Sequence, residues 1–383
     1  MTGAPARAVT TGGAPPAHVG TDRPDGARRA ACLDEPVGAV PSLAGVLDAG
    51  EILASAQAIA ALQRPDGMVP WYPGGHCDPW NHVEAAMALD VAGLTGAATA
   101  AYEWLVDRQL PEGGWFNYYL WDGGVEDPRI DTNVCAYVAT GAWHRYLLRR
   151  DRGALVDLWP TVDRAIGFVL RWQRPDGTIR WSVDPDGRPG RFALLTGSSS
   201  ILHALRCAVA CAEELGYERP EWELAAGRLA HAIAHRPGAF EPKDEFAMDW
   251  YYPVVSGALD GGRAGERLRT GWASFVMEGL GVRCVSTGPW VTAAETAECA
   301  IALDAVGETG RAADLLTWAQ AHRRPDGTYV TGIVYPDQST FPHEQTSTYT
   351  AAAVVLAVDA VSRTTPASGI FRGEHLPAAV DLA

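Results

Sequence analysis

No run of Lys or Arg occurs in the 383 residues, and 31 basic residues stand against 46 acidic ones, a formal charge of −15. That argues against a nucleic-acid or anionic-membrane partner, and mildly against a ligand dominated by diphosphate. The seven cysteines, an odd number, contain no C-x-x-C pair, so reduced thiols in a cytoplasmic protein are expected. There is no stretch of 18 uninterrupted apolar residues, and Met1-Thr2-Gly3-Ala4-Pro5 onward lacks an apolar signal core. The expectation is therefore a protein with no membrane span that is not secreted. P-loop and dinucleotide fingerprints are missing. Ser198-Ser199-Ser200 lies outside any Gly-x-Ser-x-Gly elbow, so it reads as hydroxyl lining or capping rather than a nucleophile. No convincing alternating strand pattern is visible either.

What the chain has is helix after helix. With 47% hydrophobic and 20% charged residues there is ample material for a large core. Residues 1–40, rich in Ala, Gly, Pro and Thr, read as a disordered tail, and 366–383 as a C-terminal tail. Between them a repeat is legible. Gln63-Arg64-Pro65-Asp66-Gly67 leads to Trp71, and Gln109-Leu110-Pro111-Glu112-Gly113 to Trp115. Gln173-Arg174-Pro175-Asp176-Gly177 leads to Trp181, and Arg323-Arg324-Pro325-Asp326-Gly327 to Tyr329. The long gap before the last copy leaves room for two decayed ones, placed at Arg236-Pro237-Gly238 and Glu278-Gly279. Each copy ends an amphipathic helix in a turn and sets an aromatic over the next junction.

Six outer helices are expected near 47–63, 97–109, 154–173, 221–235, 264–277 and 310–322. Six apolar, Ala-rich inner helices are expected near 79–93, 131–148, 195–215, 249–259, 292–306 and 343–362. Alternating roles of this kind predict an all-α fold, an (α/α)6 toroid spanning 41–365, because no hairpin buries its apolar face alone.

The inner-helix starts then line one end of a central cavity, and they are rich in chemistry. The first supplies Asp78, Asn81, His82 and Glu84 beside Trp71, Tyr72 and Trp80; Asp78-Pro79 also reads as an N-cap followed by proline. The second supplies Asp131 and Asn133, and the fourth Asp249, Tyr251 and Tyr252. The fifth brings Trp290 and Glu295, and the sixth His343 and Glu344. Carboxylates, amides and hydroxyls interleaved with Trp and Tyr suit a sugar: groups for its hydroxyls, platforms for its faces, and two acids across a glycosidic bond. Capping explains Asp78 and Asp131 but not Glu295, one turn into an Ala-rich helix where an unpaired carboxylate is costly. Asp78 and Glu295 are the candidate catalytic pair, expected from opposite sides of the ring. A separation of about 6.5–9.5 Å would imply inversion, with Glu295 as acid and Asp78 as base. Asp249 is the first substitute, with Glu84 and Glu344 behind it.

The Gln-x-Pro-Asp-Gly…Trp repeats resemble those of the terpenoid cyclase and protein prenyltransferase toroids, which implies architecture rather than chemistry. Three longer stretches are Asp78-Pro79-Trp80-Asn81-His82-Val83-Glu84, Met248-Asp249-Trp250-Tyr251-Tyr252-Pro253 and Trp290-Val291-Thr292-Ala293-Ala294-Glu295. Together they resemble an actinobacterial group, the methylmannose polysaccharide hydrolases. The resemblance implies an endo-acting α-mannosidase on α-1,4 linkages of intracellular O-methylated mannose chains, with Asp78 and Glu295 at the catalytic acid positions. It implies an oligo- or polysaccharide partner, no cofactor and no metal.

Two other readings stand beside it. A terpenoid cyclase would need an Asp-x-Asp-Asp motif, and Asp244-Glu245-Phe246-Ala247-Met248-Asp249 has the wrong spacing. A prenyltransferase-like enzyme would need zinc, for which Cys299 and His343 fall on adjacent inner helices, but no basic cluster accompanies them. His203, Cys207 and Cys211 read as small core residues. The second reading is a carbohydrate- or lipid-binding toroid without catalysis.

Overall fold

The computed structural model describes residues 38–378; the expected N-terminal tail lies outside them save for its last three residues. Among the described residues the chain alternates outer and inner helices. In chain order these are α1 (Ala49–Leu62) and α2 (Pro79–Val91); α3 (Thr95–Arg108), then α4 (Thr132–Ala136) and α5 (Val138–Arg149), one inner helix interrupted at Tyr137; and α6 (Arg152–Leu170) and α7 (Leu195–Leu215). The second half supplies α8 (Pro220–His235) and α9 (Ala247–Val255), α10 (Gly261–Phe275) and α11 (Ala293–Ala305), and α12 (Thr309–Ala319) and α13 (Thr348–Ser362). The inner helices touch in a closed cycle, α2 to α5 to α7 to α9 to α11 to α13 and back to α2. That is the expected (α/α)6 toroid.

Local chemistry sets the helix ends. Asp48 and Glu51 form a reciprocal capping box at α1, Asp78 caps α2 ahead of Pro79, and Gly216 closes α7 in the left-handed conformation. These are the residue types that satisfy the first N–H groups and the last carbonyls. The inner helices are buried on every side: Val83 to Val91 of α2 and Thr350 to Val361 of α13 are enclosed. Their alanines let neighbouring backbones approach closely, the pattern of a helix apolar all round.

The repeat turns fasten one hairpin to the next. Gln63, Gln109 and Gln173 each donate from Nε2 to their own turn glycine's carbonyl and to a carbonyl of the following outer helix, Ala97, Thr161 and Ala225 respectively, at 2.9–3.1 Å. The turn glycines press on the same helices. A Cβ on Gly67 would lie 2.1 Å from the Ala100 oxygen, and Gly113 and Gly177 meet Arg164 and Arg228 in the same way. The fourth copy closes the circle on α1. A Cβ on Gly327 would meet the Ala54 carbonyl at 2.7 Å, and Arg323, standing where the others have Gln, donates to Glu51 Oε1 at 3.1 Å.

Among the described residues, nine short antiparallel strands depart from the helix-only expectation. They are β1 (Tyr118–Tyr119) with β2 (Val125–Asp127), β3 (Ile130–Asp131) with β4 (Ser182–Val183), and a five-stranded sheet. The sheet comprises β5 (Val276–Met277), β6 (Gly281–Arg283), β7 (Trp290–Thr292), β8 (Gly332–Val334) and β9 (Ser339–Thr340). Two or three residues are too few for a period-two pattern to emerge. The strands lie in the connections that lead into inner helices, so they wall the cavity mouth. The Glu278-Gly279 copy of the repeat is one of their turns, between β5 and β6.

At the opposite end, the segment after α13, read as a tail, packs inward. Phe371 stacks on His203 with ring centroids 5.0 Å apart, Arg206 donates to the Pro377 carbonyl at 3.1 Å, and Arg372 pairs with the buried Asp304 at 2.6 Å. Asp90, near the C-terminus of α2, is likewise buried against Arg145 at 3.0 Å. Carboxylates at helix C-termini oppose the helix dipole, so each needs such a partner.

Candidate active site

Asp78 is the best-held carboxylate of the mouth. Its Oδ1 takes the backbone N–H groups of Trp80 and Asn81 at 2.8 and 3.0 Å. Its Oδ2 takes the Trp71 indole N–H at 2.5 Å and the Asn81 amide at 2.6 Å. Burial raises its pKa above the usual carboxylate value, and the four donors work against that rise. Trp71 in turn packs edge-on against His76, Tyr118 and Tyr349, at 4.6, 5.7 and 5.0 Å. Tyr72 closes the same corner against His76.

Glu295 enters from α11. Thr292, the residue before that helix, donates its hydroxyl to Glu295 Oε2, and the Glu295 charge helps to raise the Cys284 thiol and the Tyr349 phenol. Asp78 and Glu295 do not face each other from opposite sides, as expected from sequence. In a closed ring of six the first and fifth members flank the sixth, and α13 touches both α2 and α11. Tyr349 of α13 stands between them, against Trp71 on one side and in the field of Glu295 on the other. The helix opposite α2 is α9, and the rings of Trp80 and Tyr252 approach to 6.0 Å across the middle.

At Trp80 opens a cleft of about 290 Å³ whose lining includes neither Asp78 nor Glu295. Trp80, Trp181 and Phe246 give it aromatic walls; Asp131, Asn133, Thr196, Ser198, Lys243 and Asp249 give it polar groups. Asp131 uses one oxygen to cap α4, accepting from Asn133 and Val134, and burial pushes its carboxyl up to about 7. Asp249 takes both donors of Thr196 on Oδ1, and burial raises it also. Three enclosed polar atoms along this wall have no hydrogen-bond partner: Trp80 Nε1, Asn133 Oδ1 and Ser198 Oγ. Each such group is costly unless a ligand or water completes it.

Beneath the mouth lies a narrow chamber with about 20 Å³ open to water, room for about one molecule. Glu84 and Glu298 line it. Tyr252 donates to Glu298 at 2.7 Å, Tyr251 donates to the same carboxyl, and Tyr137 donates to Glu84 at 3.2 Å. Glu84 and Tyr251 therefore stand below the cleft rather than on its wall.

Four expected contacts fall elsewhere. His82 is locked under the helix start, where Nδ1 accepts from the Val69 N–H at 3.1 Å and Nε2 donates to the Ala101 carbonyl at 2.8 Å. Burial lowers its pKa to about 4, so it is neutral and fully engaged. Trp290 lies over Gly332 on the five-stranded sheet, its N–H on the Phe341 carbonyl. His343 and Glu344 precede α13, which begins at Thr348, and both are exposed; Glu344 pairs with Arg324. Cys299 is enclosed within α11, so it and the exposed His343 do not converge as zinc ligands. Among the described residues no group of three or more His, Cys, Asp or Glu is arranged to hold a metal ion.

Sequence reasoning passed over Trp181, Lys243 and Phe246 as cleft residues. Trp181 was visible as the aromatic of the third repeat, whereas Lys243 and Phe246 sit in a connection with no periodic signal.

No family model matches the chain. Over 345 residues it is 50% identical to the MMP endo-(1,4)-3-O-methyl-alpha-D-mannosidase of Mycolicibacterium hassiacum, a match covering 90% of this chain and 95% of that one. Solved structures with the same fold include a glycosidase at TM-score 0.62 and 16% identity, covering 83% of this chain and 100% of that one. A D-mannose isomerase aligns at TM-score 0.64 and 12% identity, over 83% of this chain and 99% of that one. The cellobiose 2-epimerase of Spirochaeta thermophila aligns at 0.59 and 15%, over 82% and 96%. At these identities the three share architecture, and the chemistry has to be argued from the site.

Proposed function

The chain belongs to the family of the MMP endo-(1,4)-3-O-methyl-alpha-D-mannosidase, and from that premise we propose that it hydrolyses α-1,4 bonds inside 3-O-methylated mannose polysaccharides, with Glu295 as general acid and Asp78 as general base. The observation that carries the assignment is the different hydrogen-bonding of the two carboxyls. Every group that touches Asp78 is a donor, and none can accept a proton from it. Such a shell favours the ionised form, the state a base must start from. Glu295 receives the Thr292 hydroxyl on Oε2 and a hydrogen bond from the Cys284 thiol, two side-chain donors against the four donors on Asp78.

In this reading Glu295 protonates the glycosidic oxygen while Asp78 takes a proton from the attacking water on the other face of the sugar. The products invert, because no carboxylate bonds to carbon. The cleft supports the substrate class. Trp80 offers an aromatic wall for a sugar ring, with Trp181, stacked by Phe192 and Arg129, beside it, and the unpartnered Asn133 and Ser198 offer bonds to hydroxyls. Ile179, Leu194, Ile201 and Met248 lie among those polar groups, a mixed lining that suits a sugar carrying both hydroxyls and methyl ethers. The six described cysteines are free, and no helix among the described residues is long and apolar enough to cross a membrane. Free thiols support work in a reducing compartment, the cytoplasm.

The test is a time course on 3-O-methylmannose polysaccharide followed by NMR. Internal cleavage with initial release of the β-anomer is the expected result, and Glu295→Gln and Asp78→Asn should each lower kcat by about 10²–10⁴ with binding retained. Turnover surviving in both variants would overturn the assignment.

A further inference from the structure

Of the 31 basic residues in the sequence, 30 are Arg and one is Lys, Lys243. That single lysine lines the cleft at Trp80, and no other basic side chain does. Its turn is tied at three points. The Glu241 N–H meets the Ala193 carbonyl at 2.9 Å, the Phe246 N–H the Lys243 carbonyl at 2.9 Å, and the Ser286 N–H the Glu245 carbonyl at 2.8 Å. Phe246 also bridges to Val285, the neighbour of Cys284, whose thiol bonds to Glu295. The turn therefore connects to Glu295, as the Trp80 N–H connects the cleft wall to Asp78.

The lysine side chain itself is uncommitted. It is exposed, its Nζ lies 5.7 Å from the centroid of the Phe246 ring, and among the described residues no hydrogen bond or ion pair engages it. Glu241, Asp244 and Glu245 adjoin it in sequence and Asp249 lines the same cleft, so carboxylates are at hand and it pairs with none. An ammonium carries three donors and no acceptor. The unpartnered groups of the wall differ. Asn133 Oδ1 only accepts, Ser198 Oγ can do both, and the donor Trp80 Nε1 is enclosed within the wall.

A sugar hydroxyl both gives and takes a hydrogen bond, whereas its methyl ether only takes one. Opposite an acceptor the ether leaves a polar group unpaired; opposite an ammonium it does not. The methyl carbon needs apolar neighbours, and Phe246 and Met248 follow Lys243 in the same segment of the lining. An Arg there would present a planar fork suited to carboxylate or phosphate, while Lys offers a point donor to a single oxygen.

We propose that Lys243 is a specificity-determining residue that recognises a methyl ether of the bound sugar, its ammonium donating to the ether oxygen while Phe246 and Met248 receive the methyl group. The role rests on the hydrolase reading for its substrate class.

Because Lys243 is the only side-chain amine, acetylation by an N-hydroxysuccinimide ester reports on it alone once the peptides are separated by mass spectrometry. With a 3-O-methylated α-1,4-mannose oligosaccharide at about ten times its Kd, modification should slow about tenfold. The chemical role is read by substitution, as the ratio of kcat/KM, and of Kd, for the methylated oligosaccharide over its unmethylated counterpart. Lys243→Gln still donates, and the preference for the methylated chain should stay within about threefold of wild type. Lys243→Glu only accepts, and that preference should fall about tenfold. An effect on folding or on charge in the mouth acts on both substrates and cancels in the ratio. Unslowed acetylation at saturation, or an unmoved ratio in Lys243→Glu, overturns the proposal. Protection and a shifted Kd ratio without any cleavage overturn the hydrolase reading alone, and an oligosaccharide that neither binds nor is cleaved overturns both.

Discussion

The indole N–H of Trp71 points at Oδ2 of Asp78 across 2.5 Å. The first repeat turn thereby delivers its aromatic to the first carboxylate of the mouth. A donor held against a carboxylate favours its ionised form, so the repeat that builds the fold also favours the charged state that the role proposed for Asp78 requires.

Replacing that donor should be visible in the pH profile. Trp71→Phe keeps the ring and removes the N–H, so the Asp78 pKa rises and the base is protonated over a wider acidic range. The acidic limb of kcat/KM should move to higher pH by about 0.5–1 unit, with little change on the alkaline side. A parallel fall at every pH would mean the indole matters for packing alone.

The unpartnered atoms of the cleft make a prediction about affinity. Asn133→Ala and Ser198→Ala each remove a group enclosed without a partner. Each should lower kcat/KM by about 10-fold or more on the polysaccharide, since a lost bond to a buried polar group costs about 1–3 kcal/mol. Thermal stability should hold or rise, because an unsatisfied group has been deleted from the free protein. Steady-state kinetics beside a melting curve separates the two effects.

Asp131 ties stability to pH. Its carboxyl titrates near 7 in the fold and near 4 in the unfolded chain. Its contribution is therefore full below pH 4 and is lost as pH rises through 7. Asp131→Asn keeps an N-cap acceptor and removes that loss. The variant's stability relative to wild type should grow between pH 4 and 8 by about 1–2 kcal/mol, after allowing for partial solvent screening. Urea titrations at pH 5 and pH 8 would read it, and a constant difference would show that Asp131 does not titrate in this range.

Gly67 tests the repeat itself. It has φ +94° and its missing Cβ would sit on the Ala100 carbonyl. Gly67→Ala should cost about 2–4 kcal/mol from backbone strain and collision together. Gly279 has φ +79° with nothing near its missing Cβ, so Gly279→Ala pays only for the backbone, about 1 kcal/mol. Equal losses in thermal melts would deny the docking role of the turn.

Much of this was legible before any coordinates. The inner helix expected at 195–215 runs over Leu195–Leu215, and the one expected at 79–93 over Pro79–Val91, because caps and Ala-rich patterning are local signals. Which way a side chain turns is not local. His82 and Asn81 are adjacent on one helix, yet Asn81 reaches Asp78 while His82 is drawn down to the Ala101 carbonyl of α3. Ring topology is not local either: a closed chain of six brings its ends together, so α2 and α11 flank α13 rather than oppose each other. The cleft wall from Lys243 and Phe246 depends on a connection whose path is fixed only by the helices it joins.

The contact of Gly327 with Ala54 has a consequence for how the protein is made. Emerging from a ribosome, α1 has its outer flank open until the turn that fits it arrives more than two hundred residues later. Earlier hairpins can clasp their neighbours as they appear, but the circle joins only when its final link is synthesised. Contacts so distant in sequence form slowly, and a nascent chain with buried-type helices still uncovered is vulnerable to association. Mutations at this seam should therefore harm the yield of folded protein out of proportion to their effect on the finished molecule.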